Sequence, residues 1–496
     1  MLFNSLSFLI FFPIVLLVYY ILPNRVKNFW LLVCSYYFYM CWNAKYAFLI
    51  FLSTAITYIS GILLQRAKES GGANVVLKKK MIVAGSFISN LGILFYFKYF
   101  NFGIAIINKF LQVMHVENNI HSFDIILPVG ISFYTFQALS YTMDVYRDEI
   151  YAEKNFFQYA LFVSFFPQLV AGPIERSKNL LRQLAEYNPF SFERFKEGIL
   201  VMIWGYFLKL VLADRIAIFV DCVYGNYEQY NGIILIVATV LFAIQIYCDF
   251  YGYSTIAVGA AKIIGIDLME NFNAPYLATS VSGFWRNWHI SLTSWFKDYL
   301  YIPLGGSRKG KARKFINKIV VFLTSGLWHG ADLSYVIWGG INGLYQVIEE
   351  ILNPISSKFC KTVGIDRNSE GFKVFKILWN FLLIDFSWIF FRAPNYSIAV
   401  DIIKTMLKPS NPIVFWNGDI YNCGLDSKNW GLMIICMLIL LGADICKKNG
   451  LKVRMFIMKQ DSWCQSIVVA LSICAILLFG IWGYGYNEAS FIYFQF

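Results

Sequence analysis

The sequence predicts an all-α, polytopic bundle of membrane helices, some of them broken or re-entrant, and three observations predict it. Of 496 residues, 58% are hydrophobic and 15% charged, where a soluble domain carries roughly a quarter charged residues. The aromatic share is 19%, a load suited to lipid, with Trp and Tyr at its interfaces. Apolar stretches near the ~20 residues needed for one crossing recur along the whole chain. The mean hydropathy of +0.56 excludes an ordinary soluble enzyme.

Taken in order, spanning or nearly spanning segments are Ser5–Leu22, Asn28–Cys41, Tyr46–Leu64, Met81–Phe97, Ile199–Val220 and Gly232–Tyr247. Ile319–Ile348, Phe372–Phe391, Leu432–Cys446 and Ser466–Ile481 follow. Ser5–Leu22 has no basic residues ahead of it and no small-residue cleavage site, so it reads as a retained helix and not a signal peptide. The polar stretches Asn353–Gly371 and Ala393–Asn429 read as loops. Residues 1–496 are expected to form one integral membrane domain with about 10–13 membrane segments.

Two regions do not read as simple crossings. Leu127–Tyr146 and Phe156–Ile174 carry Pro128, Gly130, Pro167, Gly172 and Pro173 among apolar residues, which suggests broken helices. Ile319–Ile348 is interrupted by Trp328-His329-Gly330 and is long for one crossing but short for two. Irregular backbone at membrane depth survives only where protein or a water-filled cavity surrounds it, so these breaks imply an internal cavity.

The net charge of +12 is a topology signal and does not point to nucleic acid. Arg66–Lys80 holds five Lys/Arg, Arg308–Lys318 six and Lys447–Lys459 five, each between apolar segments. All three runs are expected on the cytoplasmic side. Both chain ends then lie outside, and the number of crossings is even. The ten cysteines show no CxxC spacing and the four histidines are scattered, so no metal site is expected.

Two stretches can carry chemistry. In the first, Gly283–Leu300, a continuous helix would place Trp285, Trp288, Trp295 and Tyr299 on one face, with Arg286 and His289 on the adjoining face. That pattern fits an interfacial helix anchored by Trp, or a buried aromatic pocket around His289. In the second, Ser325–Ala331, His329 sits beside Trp328 in an apolar run flanked by glycines. An ionisable group at such depth is a functional candidate, and desolvation keeps it neutral, the form a general base needs. The plainer reading is a helix–helix hydrogen bond. Asp249, in Tyr247–Ser254, terminates or interrupts a helix, where it either orients a histidine or pairs with Arg286. His115 and His121 read as solvated loop residues.

With these residues in view, the sequence resembles the membrane-bound O-acyltransferase family, in its bacterial branch that O-acetylates surface polysaccharides such as alginate. Leu127–Gln137, Phe165–Ile174, Phe284–Gly306, Leu327–Ala331 and Phe491–Phe496 carry the resemblance, in order along nearly the whole chain. Tyr251, Thr255 and Asn342 depart from the family pattern. The resemblance implies a bundle around a central tunnel in a bacterial cytoplasmic (inner) membrane, with His329 the catalytic base and His289 its polar partner. Asp249, Arg286, Trp285, Trp288 and Trp328 are supporting candidates. It implies no resident cofactor and a cytoplasmic acyl thioester as donor, acetyl-CoA by analogy. An extracytoplasmic transferase partner would pass the acyl group to a surface polysaccharide. Tyr493 is either an interfacial anchor or a relay for that group. D-alanyl transfer from a carrier protein to teichoic acid, a lipid or protein acyltransferase, and a transporter or polymer export channel are the competing readings.

Overall fold

The computed structural model describes residues 1–71, 74–116 and 120–483, and among them there are helices and loops but no strand. Ala44–Ser70, Val75–Val113, Gly232–Ile264, Glu370–Arg392, Ser427–Lys448 and Ser462–Phe479 are long and apolar enough to cross a membrane. Leu6–Ile21 is a shorter apolar helix. Lipid offers no hydrogen bonds, so a chain this apolar satisfies its backbone within helices. The protein is an all-α, multi-pass membrane protein. Its residues form two compact units: Met1–Ile199 with Ala257–Met269, and Leu200–Ile256 with the chain from Glu270 onward.

In the first unit the Ile131–Tyr146 helix is buried around almost its whole circumference. It is unbroken, contrary to expectation. Pro128 lies ahead of it, and Gly130 supplies the left-handed turn (φ 75°) that starts it, where a Cβ would lie 2.8 Å from the Leu169 carbonyl oxygen. Phe156–Ile174 does break. The Phe156–Ser164 helix stops and a single turn, Phe166–Leu169, follows. At the break the Phe166 N–H donates to Ser35 Oγ (3.1 Å) instead of to the preceding turn. The Phe162 carbonyl, short of its helical donor, accepts from the side-chain amides of Gln137 (2.6 Å) and Gln168 (2.9 Å). Both family-like stretches of this unit therefore meet at one carbonyl. His115 and His121 are exposed.

The Gly232–Ile264 helix, whose residues up to Ile256 belong to the second unit, is unbroken through Asp249, which corrects the expectation that Asp249 ends it. Close packing at Gly252 brings a second backbone against it. A Cβ there would lie 2.8 Å from the Gly205 carbonyl oxygen, and one on Gly205 would lie 2.7 Å from that of Gly252. The Asp249 carboxylate meets Lys209 Nζ at 2.7 Å, and the same ammonium meets Asp214 at 2.8 Å. All three are buried, Lys209 on the π-helical stretch Phe207–Ala213. Charge at this depth persists only when paired.

Two expected loops contain helices. Leu333–Val363 continues well beyond Asn353, and Tyr396–Met406 lies within the second polar stretch. The polar count hid their periodicity. Ile351, Ile355, Phe359 and Val363 repeat every four residues as one apolar stripe, while Ala399 and Ile402 are fully buried.

Candidate active site

The site is built from a helical hairpin and a kinked pair of short helices, all in the second unit. The Lys311–His329 helix ends at His329, Gly330 is extended, and Asp332 caps the next helix by accepting from the Ser334 N–H (2.8 Å). The hairpin closes on glycines. A Cβ on Gly326 would run into the Tyr335 carbonyl oxygen, one on Gly339 into that of Phe322, and one on Gly330 into the Tyr335 ring. Small residues that let helix backbones touch are the usual device of membrane interfaces. The break at 328–330 is thus present as the sequence suggested, and it leaves His329 buried at a helix end.

Aromatic rings hold that imidazole. Trp328, Trp338 and Phe391 lie edge-on to His329, with centroids at 4.9, 5.1 and 5.3 Å. Asn342 ties the cage together, accepting from Trp285 Nε1 (3.2 Å) and donating to the Trp338 carbonyl (2.9 Å).

Gly283–Leu300 is not one helix. Val281–Asn287 and Ile290–Phe296 are separated by a kink at His289, whose backbone is left-handed (φ 44°, ψ 55°). Such a conformation in a residue other than glycine costs of order 1–3 kcal/mol and persists only where its surroundings impose it. The kink abolishes the single aromatic face. Trp285, Trp288 and Trp295 are buried, which favours the aromatic pocket over an interfacial anchor. His289 lies against Phe250 (4.7 Å) and Trp328 (6.0 Å), so the Trp328 ring touches both imidazoles.

Both histidines line one cavity of about 440 Å³. Trp285, Trp288, Arg286 and Thr293 also line it, and Lys297, Lys314, Lys318 and Glu350 give it a charged, largely basic rim. Lys318 meets Glu350 at 2.8 Å and Lys314 bonds the other carboxylate oxygen. These contacts, Lys314 foremost, hold the Glu350 carboxyl below the usual carboxylate range. Asn317 donates to the Gly306 carbonyl (2.9 Å) and pins the neighbouring loop to the hairpin. A cavity with two imidazoles inside and cations at its rim can take an anionic substrate with a reactive uncharged end.

Of the residues singled out from sequence, His289, His329, Arg286, Trp285 and Trp288 are brought together at this cavity, and Trp328 packs between the two histidines. Asp249 is joined to Lys209, which sequence reasoning passed over, and the neighbouring residue Phe250 supplies the ring against His289. Tyr493 lies outside the described residues. Sequence reasoning also missed the rim, because Lys314 and Lys318 were read only as topology markers, and the walls from Trp338 and Phe391, which carried no motif.

Fold and site define the class: a helical membrane protein with a histidine-lined cavity. The sequence profile of the membrane-bound O-acyltransferase family matches residues 147–391. A Pseudomonas putida protein named "Probable alginate O-acetylase AlgI" is 37% identical over 409 residues, 82% of this chain and 80% of that one. A peptidoglycan O-acetyltransferase of Helicobacter pylori is 31% identical over 439 residues, again 82% and 80%. A teichoic acid D-alanyltransferase of Bacillus subtilis is 27% identical over 314 residues, 59% of this chain and 72% of its own. The chain belongs to the membrane-bound O-acyltransferase family, and it is an O-acyltransferase.

Proposed function

We propose that the protein is an O-acetyltransferase of a bacterial cytoplasmic membrane, taking an acetyl group from a cytoplasmic thioester for delivery to an extracytoplasmic cell-surface polysaccharide. One observation carries the reading: His289 and His329 line a single cavity whose rim includes Lys314 and Lys318, two basic residues of the 308–318 run. That run is the kind that marks a cytoplasmic face, so the rim suits the phosphates of a donor such as acetyl-CoA. The names of the two relatives matched over about four-fifths of the chain support acetyl transfer over D-alanyl transfer. Family membership supports an enzyme over an export channel.

The chemistry needs a base and an oxyanion stabiliser. Neutral His329 takes the proton of the acceptor hydroxyl as its oxygen attacks the thioester carbonyl. An N–H of neutral His289 stabilises the developing oxyanion. Collapse breaks the carbon–sulfur bond, and the imidazolium of His329 returns its proton to the leaving thiolate, so nothing is left over. The aromatic cage excludes water that would otherwise hydrolyse the thioester. An extracytoplasmic partner then completes transfer to the polymer. Supporting roles fall to Arg286 at the donor, to Trp285, Trp288 and Trp328 in the cage, and to Asp249 through the helix that carries Phe250, with Tyr493 either an interfacial anchor or a relay.

His329→Ala is expected to insert and fold while abolishing polymer O-acetylation, read by mass spectrometry of cell-envelope polymers in a deletion strain carrying the variant. Normal acetylation would remove His329 from the role of base.

A further inference from the structure

We infer that Asn271 is a positioning residue for acyl transfer, holding His289 in the left-handed backbone conformation that aims its imidazole into the cavity. The inference rests on the role proposed above for His289. Nothing about residue 271 singles it out in sequence, since it lies in an irregular stretch well before the histidine.

The conformation of His289 is imposed from both sides by the segment at 271–273. Before the kink, the Asn287 carbonyl accepts from the Asn273 N–H (3.0 Å). After it, the Ile290 N–H donates to the Asn271 carbonyl (2.9 Å) and the Ser291 N–H to Asn271 Oδ1 (3.2 Å). These two N–H groups belong to the first turn of the Ile290–Phe296 helix, where no intrahelical acceptor exists. Asn271 therefore supplies what a continuous helix would have supplied, and it does so in a geometry that only the kinked chain can use. Ser291 in turn places its Oγ 3.5 Å from His289 Nδ1.

The other end of the Asn271 side chain is tied down as well. Its Nδ2 donates to Ser254 Oγ (3.1 Å), and both residues are buried. Ser254 lies one turn beyond Phe250 on the Gly232–Ile264 helix, and Phe250 is the ring packed edge-on against His289. The backbone of the histidine and the ring it rests on are thus referenced to the same helix through one side chain. The chemistry selects an amide. Asn271 must accept from a backbone N–H and donate to a hydroxyl at once, which Leu cannot do and which Asp does only by burying a carboxyl group.

The test is a double-mutant cycle on the full-length protein in lipid nanodiscs, measuring thioester consumption with acetyl-CoA as the probe donor. Asn271→Leu is expected to lower kcat by about 10- to 100-fold, the scale of a sub-ångström to 1 Å misplacement, with the donor KM changing less than about twofold. In a His289→Ala background the same substitution should change kcat by less than about twofold, because its target is gone. An equal loss in both backgrounds overturns the inference and leaves the role of His289 standing. Full activity of His289→Ala itself overturns that role. A second readout needs no turnover: carbethoxylation of each histidine by diethyl pyrocarbonate, resolved by mass spectrometry with exposed His115 and His121 as references. Asn271→Leu, or Asn271→Asp if the Leu variant does not fold, should alter the His289 rate severalfold and leave His329 unchanged. An unaltered His289 rate overturns the inference.

Discussion

The most exacting prediction concerns Gly326, on the hairpin that ends in His329. An alanine methyl there would run into the Tyr335 carbonyl oxygen and lie 3.4 Å from the Val336 Cα, both backbone atoms of the facing helix. A flexible side chain could swing away from such a contact, but backbone cannot, so the two helices must separate. Overpacking of this kind costs about 1–3 kcal/mol. Gly340→Ala is the control. Its methyl would meet only Leu323 Cδ2 at an ordinary 3.6 Å, and replacing a helical glycine gains up to about 1 kcal/mol. That gain is common to both positions, so the two alanines should differ by the overpacking cost of about 1–3 kcal/mol, although they sit on one hairpin and add the same atoms. Because Gly326 lies three residues before His329, opening the hairpin also displaces the imidazole, and a shift near 1 Å costs about 10²-fold in rate. Thermal unfolding of the detergent-purified proteins, followed by tryptophan fluorescence, reads the first effect, and single-substrate turnover reads the second. If Gly326→Ala matched Gly340→Ala in both, the claim that backbone contact sets the position of His329 would be wrong.

Two further outcomes follow from charged groups. Lys209→Met should destabilise the fold by about 3–5 kcal/mol, since removing one partner of a buried ion cluster leaves charge uncompensated. Adding Asp214→Asn and Asp249→Asn should recover much of that loss, and a single variant as stable as the parent would refute a structural role for the cluster. Acid stability probes the rim, where Lys314 and then Lys318 hold the Glu350 carboxyl below its usual range. A depressed folded-state value means that the contribution is complete above the ordinary Glu value of about 4.3 and is lost as pH falls through the lower value. The melting temperatures of the parent and of Glu350→Gln should thus differ at neutral pH and converge in acid, and a gap that persists in strong acid would count against the bridge.

What the sequence made legible were features whose cause is local. Pro167 and the glycines around His329 announced helix breaks because they change what the backbone can do by themselves. The two histidines stood out because an ionisable group in an apolar run is costly wherever the chain goes. The features that escaped depend on distant partners. The kink at His289 interrupts a stretch with good helical spacing, and its cause is a set of hydrogen bonds from residues 271–273. Lys314 and Lys318 looked like topology markers until the hairpin brought Glu350 between them. Asp249 looked like a helix end because its neutralising lysine sits on another segment.

One consequence of the hairpin concerns length. Lys318, Lys314 and His329 lie on the same unbroken helix. At about 1.5 Å per residue, the rim lysines stand roughly 16 and 22 Å along the axis from the histidine. On the proposed reading, a donor that grips the lysines and reacts at His329 must carry an arm of about that span. The helix would then act as a fixed gauge, rejecting short thioesters for lack of reach and judging a donor by the length of its tether before the identity of its acyl group.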